Sequence, residues 1–287
     1  MSTNLTTTVS YKGNVVEISR DKPTVMIGER INPTGRKKVL QALQENDFAS
    51  VRSDAISQVD AGARILDVNA GVPGADEVKL LATVMSEVMA VVDVPLAIDT
   101  ANPQALEAAL KMYDGKALIN STNGEEKSLE AVLPIAKEFG AAIIGLCMND
   151  EGIPSGPQER LAVADKIINR AVQIGIPIED VVIDPLAMTM GADHNAGRLT
   201  LDAITLIVDT FGVNITMGAS NVSFGLPDRK YVNAAYMAMA IHAGLTCPIT
   251  NPLVTEINTA VLAADLAMGK DQYGMGWIKA YRKRSKS

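Results

Sequence analysis

Short aliphatic runs, most of them ending in an acid or an amide, alternate along this chain with longer segments whose apolar residues recur every three or four positions. The first pattern predicts buried β-strands and the second amphipathic helices, so their alternation predicts repeated βα units. Eight runs read as strands: TVMIGE from Thr24, RILDVN from Arg64, VPLAIDT from Val94, KALINS from Lys116, AAIIGLCM from Ala141, DVVIDP from Asp180, NITMGAS from Asn214 and CPIT from Cys247. Helical spacing falls between them over 75–92, 103–112, 125–139, 157–174, 201–211, 230–243 and 255–268. Several ends carry their own signals. Asn102 before Pro103 is an N-cap with a first-turn proline, Gly140 and Gly175 follow helical runs, and Ser128 and Thr255 fall in first turns.

Eight strands with short connections predict a single (β/α)8 TIM barrel of the α/β class over residues 23–287. Residues 1–22 contain the alternating segment VSYKGNVVEIS. It predicts a hairpin extension turning at Lys12, Gly13 and Asn14 and closing the bottom of the barrel. An open doubly wound sheet competes, but GERINPTGRKK after the first strand is not the glycine-rich dinucleotide fingerprint.

Composition narrows the function classes. A length of 287 residues suits one barrel; 47% hydrophobic with only 4% aromatic leaves Ala, Val, Ile, Leu and 13 Met to fill the core. With 26 basic and 33 acidic residues, charge gives no reason to expect a nucleic-acid surface. Cys147 and Cys247 lie in apolar segments and read as reduced core residues. No leader pattern and no uncharged run of membrane-spanning length occurs, so the expected location is the cytoplasm, away from any membrane. The terminal KAYRKRSKS reads as a solvated tail.

The chemistry falls at the strand ends, where a parallel barrel places its reactive face. They carry Glu29, Arg30 and Asn32; Asp67 and Asn69; Asp99; Asn120 and Ser121; Asn149 and Asp150; Asp184; and Ser220 with Asn221. Each has an ordinary use as a cap or turn residue: Asp99 is near Pro103, and Asp184 precedes Pro185. Seven such ends converging on one cavity favour a binding site. The ring is rich in acceptors and amides, unlike the cations and glycine nests that hold phosphate. No metal is expected, since His194 in MGADHNAG and His242 late in a helix form no ligand-spaced pair. A flat heterocycle with several N–H donors fits, and pterins present such an edge.

The strings GERIN, LDVNAG, AIDT, LINSTN, IGLCMND, IDPL and GASNVSFGLPDR, in this order, resemble the pterin-binding methyltransferases that exchange a methyl group between tetrahydrofolate and a corrinoid. The resemblance implies that Asp99, Asn120 and Asp184 hold the pterin edge. It implies that Asn221 reaches N5, that Arg229 lies nearby, and that Asp67 and Asn69 make further contacts around the ring. Glu29, Asn32 and Ser220 would complete the pocket, with Asn221, Asp184 and Asp99 nearest the chemistry. Whether 36–38 touch the folate tail or solvent is open. Phe224 stands where some relatives carry a polar residue.

The resemblance further implies tetrahydrofolate or 5-methyltetrahydrofolate as substrate and a homodimer. A corrinoid must be supplied by a separate protein, because DHNAG at Asp193 lacks the spacing of a corrinoid-binding motif. The direction expected is toward methyltetrahydrofolate in an O-demethylase type pathway. Transfer to a corrinoid iron-sulfur protein, a dihydropteroate synthase and a silent pterin-binding subunit are the alternatives.

Overall fold

The structure, a computed structural model, describes residues 4–285. Residues 1–3 of the expected extension and the last two of the basic tail lie outside the described residues. The chain opens with an antiparallel hairpin, β1 (Thr7–Tyr11) and β2 (Asn14–Ile18). Eight parallel strands follow: β3 (Ile27–Ile31), β4 (Ile65–Asn69), β5 (Leu96–Asp99), β6 (Leu118–Asn123), β7 (Ala142–Leu146), β8 (Val181–Asp184), β9 (Asn214–Ile215) and β10 (Ile249–Thr250). Their order is β10-β3-β4-β5-β6-β7-β8-β9. The Ile249 N–H donates to the Met217 carbonyl at 3.0 Å and Gly218 pairs with Ile249, which closes the ring into the expected barrel.

The helices are α1 (Lys37–Gln44), α2 (Ala49–Asp60), α3 (Glu77–Met89), α4 (Pro103–Lys111), α5 (Glu126–Phe139), α6 (Pro157–Gln173), α7 (Ala196–Phe211), α8 (Arg229–Ala243), α9 (Thr255–Ala267) and α10 (Met275–Arg284). Among the described residues none is long and apolar enough to cross a membrane. The Asn102 cap is present, its Oδ1 accepting from Gln104 N and Ala105 N at 3.0 and 3.3 Å, and Gly140 ends α5 with φ 60°. Sequence reading does not anticipate α2, whose buried residues are only Val51, Ala55 and Gln58. The basic tail is helical through Arg284, in α10.

Two apolar layers hold the barrel. Ile27, Ile65, Ala97, Leu118, Ala142, Ile144, Val182 and Cys247 fill its interior, and Val9, Val16 and Ile18 of the hairpin pack against them from below. The outward residues, including Leu66, Ile98, Ile119, Ile143 and Ile183, pack under the helices. Backbone bonds seat the hairpin beneath the strand starts: Ser10 N to Lys116 O at 2.8 Å and Lys12 N to Asp114 O at 2.9 Å. A Cβ on Gly115 would lie 2.2 Å from the Ser10 carbonyl oxygen, so this approach needs a glycine. The hairpin closes the amino ends and leaves the carboxyl ends open for chemistry.

The first strand begins three residues later than its apolar run, and Thr24 at the start of that run is bonded to a helix. Asp265 of α9 is buried and accepts from Thr24 N at 2.8 Å and Thr24 Oγ1 at 2.7 Å. Asp265→Ala leaves both donors unsatisfied and is expected to cost about 3 kcal/mol. A urea midpoint equal to that of the unaltered protein would contradict this.

Candidate active site

Parallel register places the polar strand ends in adjacent positions. Asn69 pairs with Asp99 across β4 and β5, and Asp99 with Asn120 across β5 and β6. Asp67 lies one pleat deeper on the same inward face as Asn69, 3% exposed, and its Oδ1 accepts from Asn120 Nδ2 at 2.9 Å. Asp99 Oδ2 accepts from Asn32 Nδ2 at 3.4 Å, with Asn69 donating toward the same carboxylate. Glu29 joins this group from β3: its charge acts on Asp67. Three carboxylates and three amides from four strands and one loop thus meet at the barrel mouth.

Neighbouring side chains in sequence take other directions. Arg30 turns outward, donating to Asp54 Oδ1 of α2 at 2.9 Å, and Arg36 donates to Asp54 Oδ2 at 2.7 Å and to the Arg30 carbonyl. Arg36 thus braces this corner, while Lys37 and Lys38 are exposed. Asn149 accepts from Glu151 N at 3.0 Å and shapes a rim turn with Gly152, outside the carboxylate group. His194 is a surface residue beside Asp193, and both cysteines are free and buried. Among the described residues no cluster of metal-ligating side chains occurs.

Asp184 ends β8 on the far side of the mouth. Its Oδ1 accepts from Leu186 N at 2.7 Å, and the Gly218 N–H also donates to it. Asn221 and Ser220 sit in a 3-10 turn, Ala219–Ser223, after β9. The Asn221 side chain is exposed and folds over Gly218, where an added Cβ would lie 2.9 Å from its Nδ2. No hydrogen bond holds that amide among the described residues. Arg229 braces this turn: Nη2 donates to Ser220 O at 2.7 Å and Nε to Ser223 Oγ at 3.0 Å, while its charge acts on Glu29 of the acceptor group. Its guanidinium lies 5.7 Å from the ring of Phe224, which is 68% exposed on the rim.

Burial sets the electrostatics. It pushes Glu29 up to about 7, against the pull of Arg229 and Arg30. It pushes Asp99 up to about 6, against the Asn69 hydrogen bond, and Asp184 up to about 7. Asp67 is raised well above its ordinary value, first by burial and then by the Asp99 charge. A dry mouth crowded with carboxyl groups favours a ligand that brings N–H donors.

The sign of the pH effect follows. Between about pH 4, where these groups ionise in the unfolded chain, and about pH 7, the native protein retains protons the unfolded chain has released, so stability falls as pH rises. The melting temperature of the ligand-free protein is expected to drop from pH 5 to pH 8, and Asp67→Asn to raise it at pH 8. A flat or rising profile in differential scanning fluorimetry would contradict this.

A ring of acceptors at the open end of a barrel calls for comparison with known proteins. The sequence profile of a family described as pterin binding enzyme matches residues 28–251. The chain belongs to that family. Glu29, Asn32, Asp67, Asn69, Asp99, Asn120, Asp184, Ser220, Asn221 and Arg229 all fall within the matched span. Over 261 residues the chain is 28% identical to the methylcorrinoid:tetrahydrofolate methyltransferase of Eubacterium limosum, covering 90% of this chain and 96% of that one. It is 27% identical to the methionine synthase of Mycobacterium tuberculosis over 85% of its own length but only 22% of that protein's.

Among solved structures, dihydropteroate synthase from Xanthomonas albilineans in complex with 7,8-dihydropteroate superposes with a TM-score of 0.70 at 18% identity, over 91% of this chain and 98% of that one. The Yersinia pestis dihydropteroate synthase gives 0.65 at 16%, over 93% and 100%. These likenesses establish the barrel shared by pterin-binding enzymes. Sequence reading reaches the acceptor ring but not Asp54, Arg160 or Gln58, the polar side chains that brace its surroundings. One signal for two of them is spacing: the inward stripe of α6 runs Arg160, Val163, Ala164, Ile167, and that of α2 runs Val51, Ala55, Gln58.

Proposed function

We propose that this protein transfers a methyl group between a methylated corrinoid carried by a separate protein and N5 of tetrahydrofolate, running toward methyltetrahydrofolate in a demethylation pathway of the cytoplasm. The observation that carries the reading is the set of acceptors at one barrel mouth, Asp67 and Asp184 buried and Asp99 and Asn120 half-buried, in a member of the pterin binding enzyme family. The whole-length similarity to a methylcorrinoid:tetrahydrofolate methyltransferase supports the choice of reaction. A homodimer, with the corrinoid protein approaching the open mouth, belongs to the same proposal.

In this reading Asp99, Asn120 and Asp184 bind the pterin edge, with Asp67 orienting Asn120 and Asn32 and Asn69 orienting Asp99. The N5 lone pair attacks the methyl carbon in line; the carbon–cobalt bond breaks, its electron pair stays with cobalt, and N5 loses its proton. No protein nucleophile is needed, so the barrel contributes position and a dry, polar surrounding. Asn221 reaches N5 from its rim turn and orders the donor or water that exchanges the proton. An amide cannot itself be the final proton acceptor.

A dihydropteroate synthase would need free cations for a pyrophosphate. Arg30 and Arg36 are paired with Asp54, which weighs against that reading. Titration calorimetry separates the two: one saturable site for tetrahydrofolate is expected, with no pteroate formed from a pterin diphosphate and 4-aminobenzoate. Pteroate formation, or no folate binding, would overturn the proposal.

A further inference from the structure

Arg160 is a buried cation outside the acceptor ring. It lies on the inner stripe of α6 and is 2% exposed. Among the described residues it makes no ion pair. Its guanidinium donates instead to three neutral acceptors from three other segments: Nε to the Pro154 carbonyl at 2.9 Å, and Nη1 to the Leu186 carbonyl at 3.1 Å and to Thr200 Oγ1 of α7 at 3.2 Å.

Leu186 links this cation to the site. Its carbonyl accepts from Arg160 while its N–H donates to Asp184 Oδ1 at 2.7 Å. Leu186 has φ 63°, a left-handed conformation that a residue with a branched side chain rarely adopts without outside support. Bonds at both ends of the residue supply that support. The peptide is thereby locked with its N–H aimed at the carboxylate.

Charge points the same way. A guanidinium stays protonated even when buried, and carbonyl oxygens satisfy its donors without neutralising it. Burial raises the Asp184 pKa; the Leu186 and Gly218 N–H groups, and after them the charge of Arg160, pull it back. The other titratable groups coupled to this pair are Cys147 and Cys247 beside Asp184 and Tyr236 facing Arg160, all pushed up by burial and therefore neutral near pH 7. Among the described residues Arg160 is the one cation acting on this carboxylate.

From this geometry we infer that Arg160 is a positioning residue for Asp184: through the Leu186 peptide it fixes the direction of the carboxylate, and it places a positive charge on the same side. Only its effect on ligand binding rests on the proposed function. Carbon-13 NMR of the ligand-free protein labelled at aspartate carboxyl carbons, with the Asp184 signal assigned by its loss in D184N, tests the claim without any ligand. In R160M that signal is expected to titrate roughly one pH unit or more higher than in the unaltered protein, and in R160K within about half a unit of it.

Tetrahydrofolate should bind R160M roughly tenfold more weakly at pH 7, with the deficit shrinking as pH rises past the new midpoint. An unchanged midpoint together with unchanged affinity in a folded R160M would overturn the inference. Should R160M fail to fold, R160K carries the test: it keeps the charge but cannot reach all three acceptors, so binding roughly threefold or more weaker is expected, and unchanged binding overturns the claim. If the unaltered protein binds no tetrahydrofolate, the proposed function falls and the carbon titration alone decides the role of Arg160.

Discussion

Asp184→Asn is expected to weaken tetrahydrofolate binding by roughly 100-fold or more while leaving the barrel folded. The carboxylate accepts from the Leu186 and Gly218 N–H groups and, in the proposed reading, from the pterin as well. An amide of the same shape has one acceptor oxygen, so its NH2 must face either a backbone donor or a ligand donor. Each charge-assisted bond lost inside a dry site is worth about 1.5–3 kcal/mol, and two reach the stated factor. Calorimetry reads the affinity and far-ultraviolet circular dichroism the fold. An affinity within tenfold of the unaltered protein would remove Asp184 from the binding edge.

Asn221→Ala is expected to act on the other parameter: kcat falls by roughly 100-fold while tetrahydrofolate affinity changes by less than about threefold. The Asn221 amide is exposed, unbonded within the described residues, and carried on a turn that Arg229 holds at Ser220 and Ser223. In the proposed reading a group so placed contributes little to holding the deep pterin edge and meets N5 as charge changes there. Forward and reverse methyl transfer should slow together at fixed pH, since a catalyst cannot move the equilibrium. Single-turnover kinetics checks this, and a loss confined to affinity would make Asn221 a binding residue.

The barrel and its reactive end are legible in the sequence because each strand is a short aliphatic run that stops at a polar residue. Asp67, Asp99, Asn120 and Asp184 are read this way, as is the hairpin turning at Lys12 and Gly13. What local pattern cannot convey is which polar neighbour turns inward. Glu29 and Arg30 are adjacent, yet one faces the mouth and the other bonds Asp54, 24 residues away. Arg229 stands in a motif that suggests a place near the ligand, and only the folded turn shows that it also bonds Ser220 and Ser223. Arg160 resembles a surface charge in a polar stretch, although continuing the apolar spacing of α6 back one turn lands on it. Helix α2 escapes notice because its buried face is small and includes the polar Gln58.

The central claim is methyl transfer at the acceptor-lined mouth, and one assay meets it most directly. The protein is mixed with tetrahydrofolate and a methyl-Co(III) corrinoid protein, cobalt demethylation is followed by absorbance, and 5-methyltetrahydrofolate is identified by mass. The account predicts loss of the methyl-cobalt signal with matching formation of 5-methyltetrahydrofolate, and neither with Asp184→Asn. Tight tetrahydrofolate binding with no transfer from any of a range of corrinoid proteins would contradict it and leave a pterin-binding subunit without this activity.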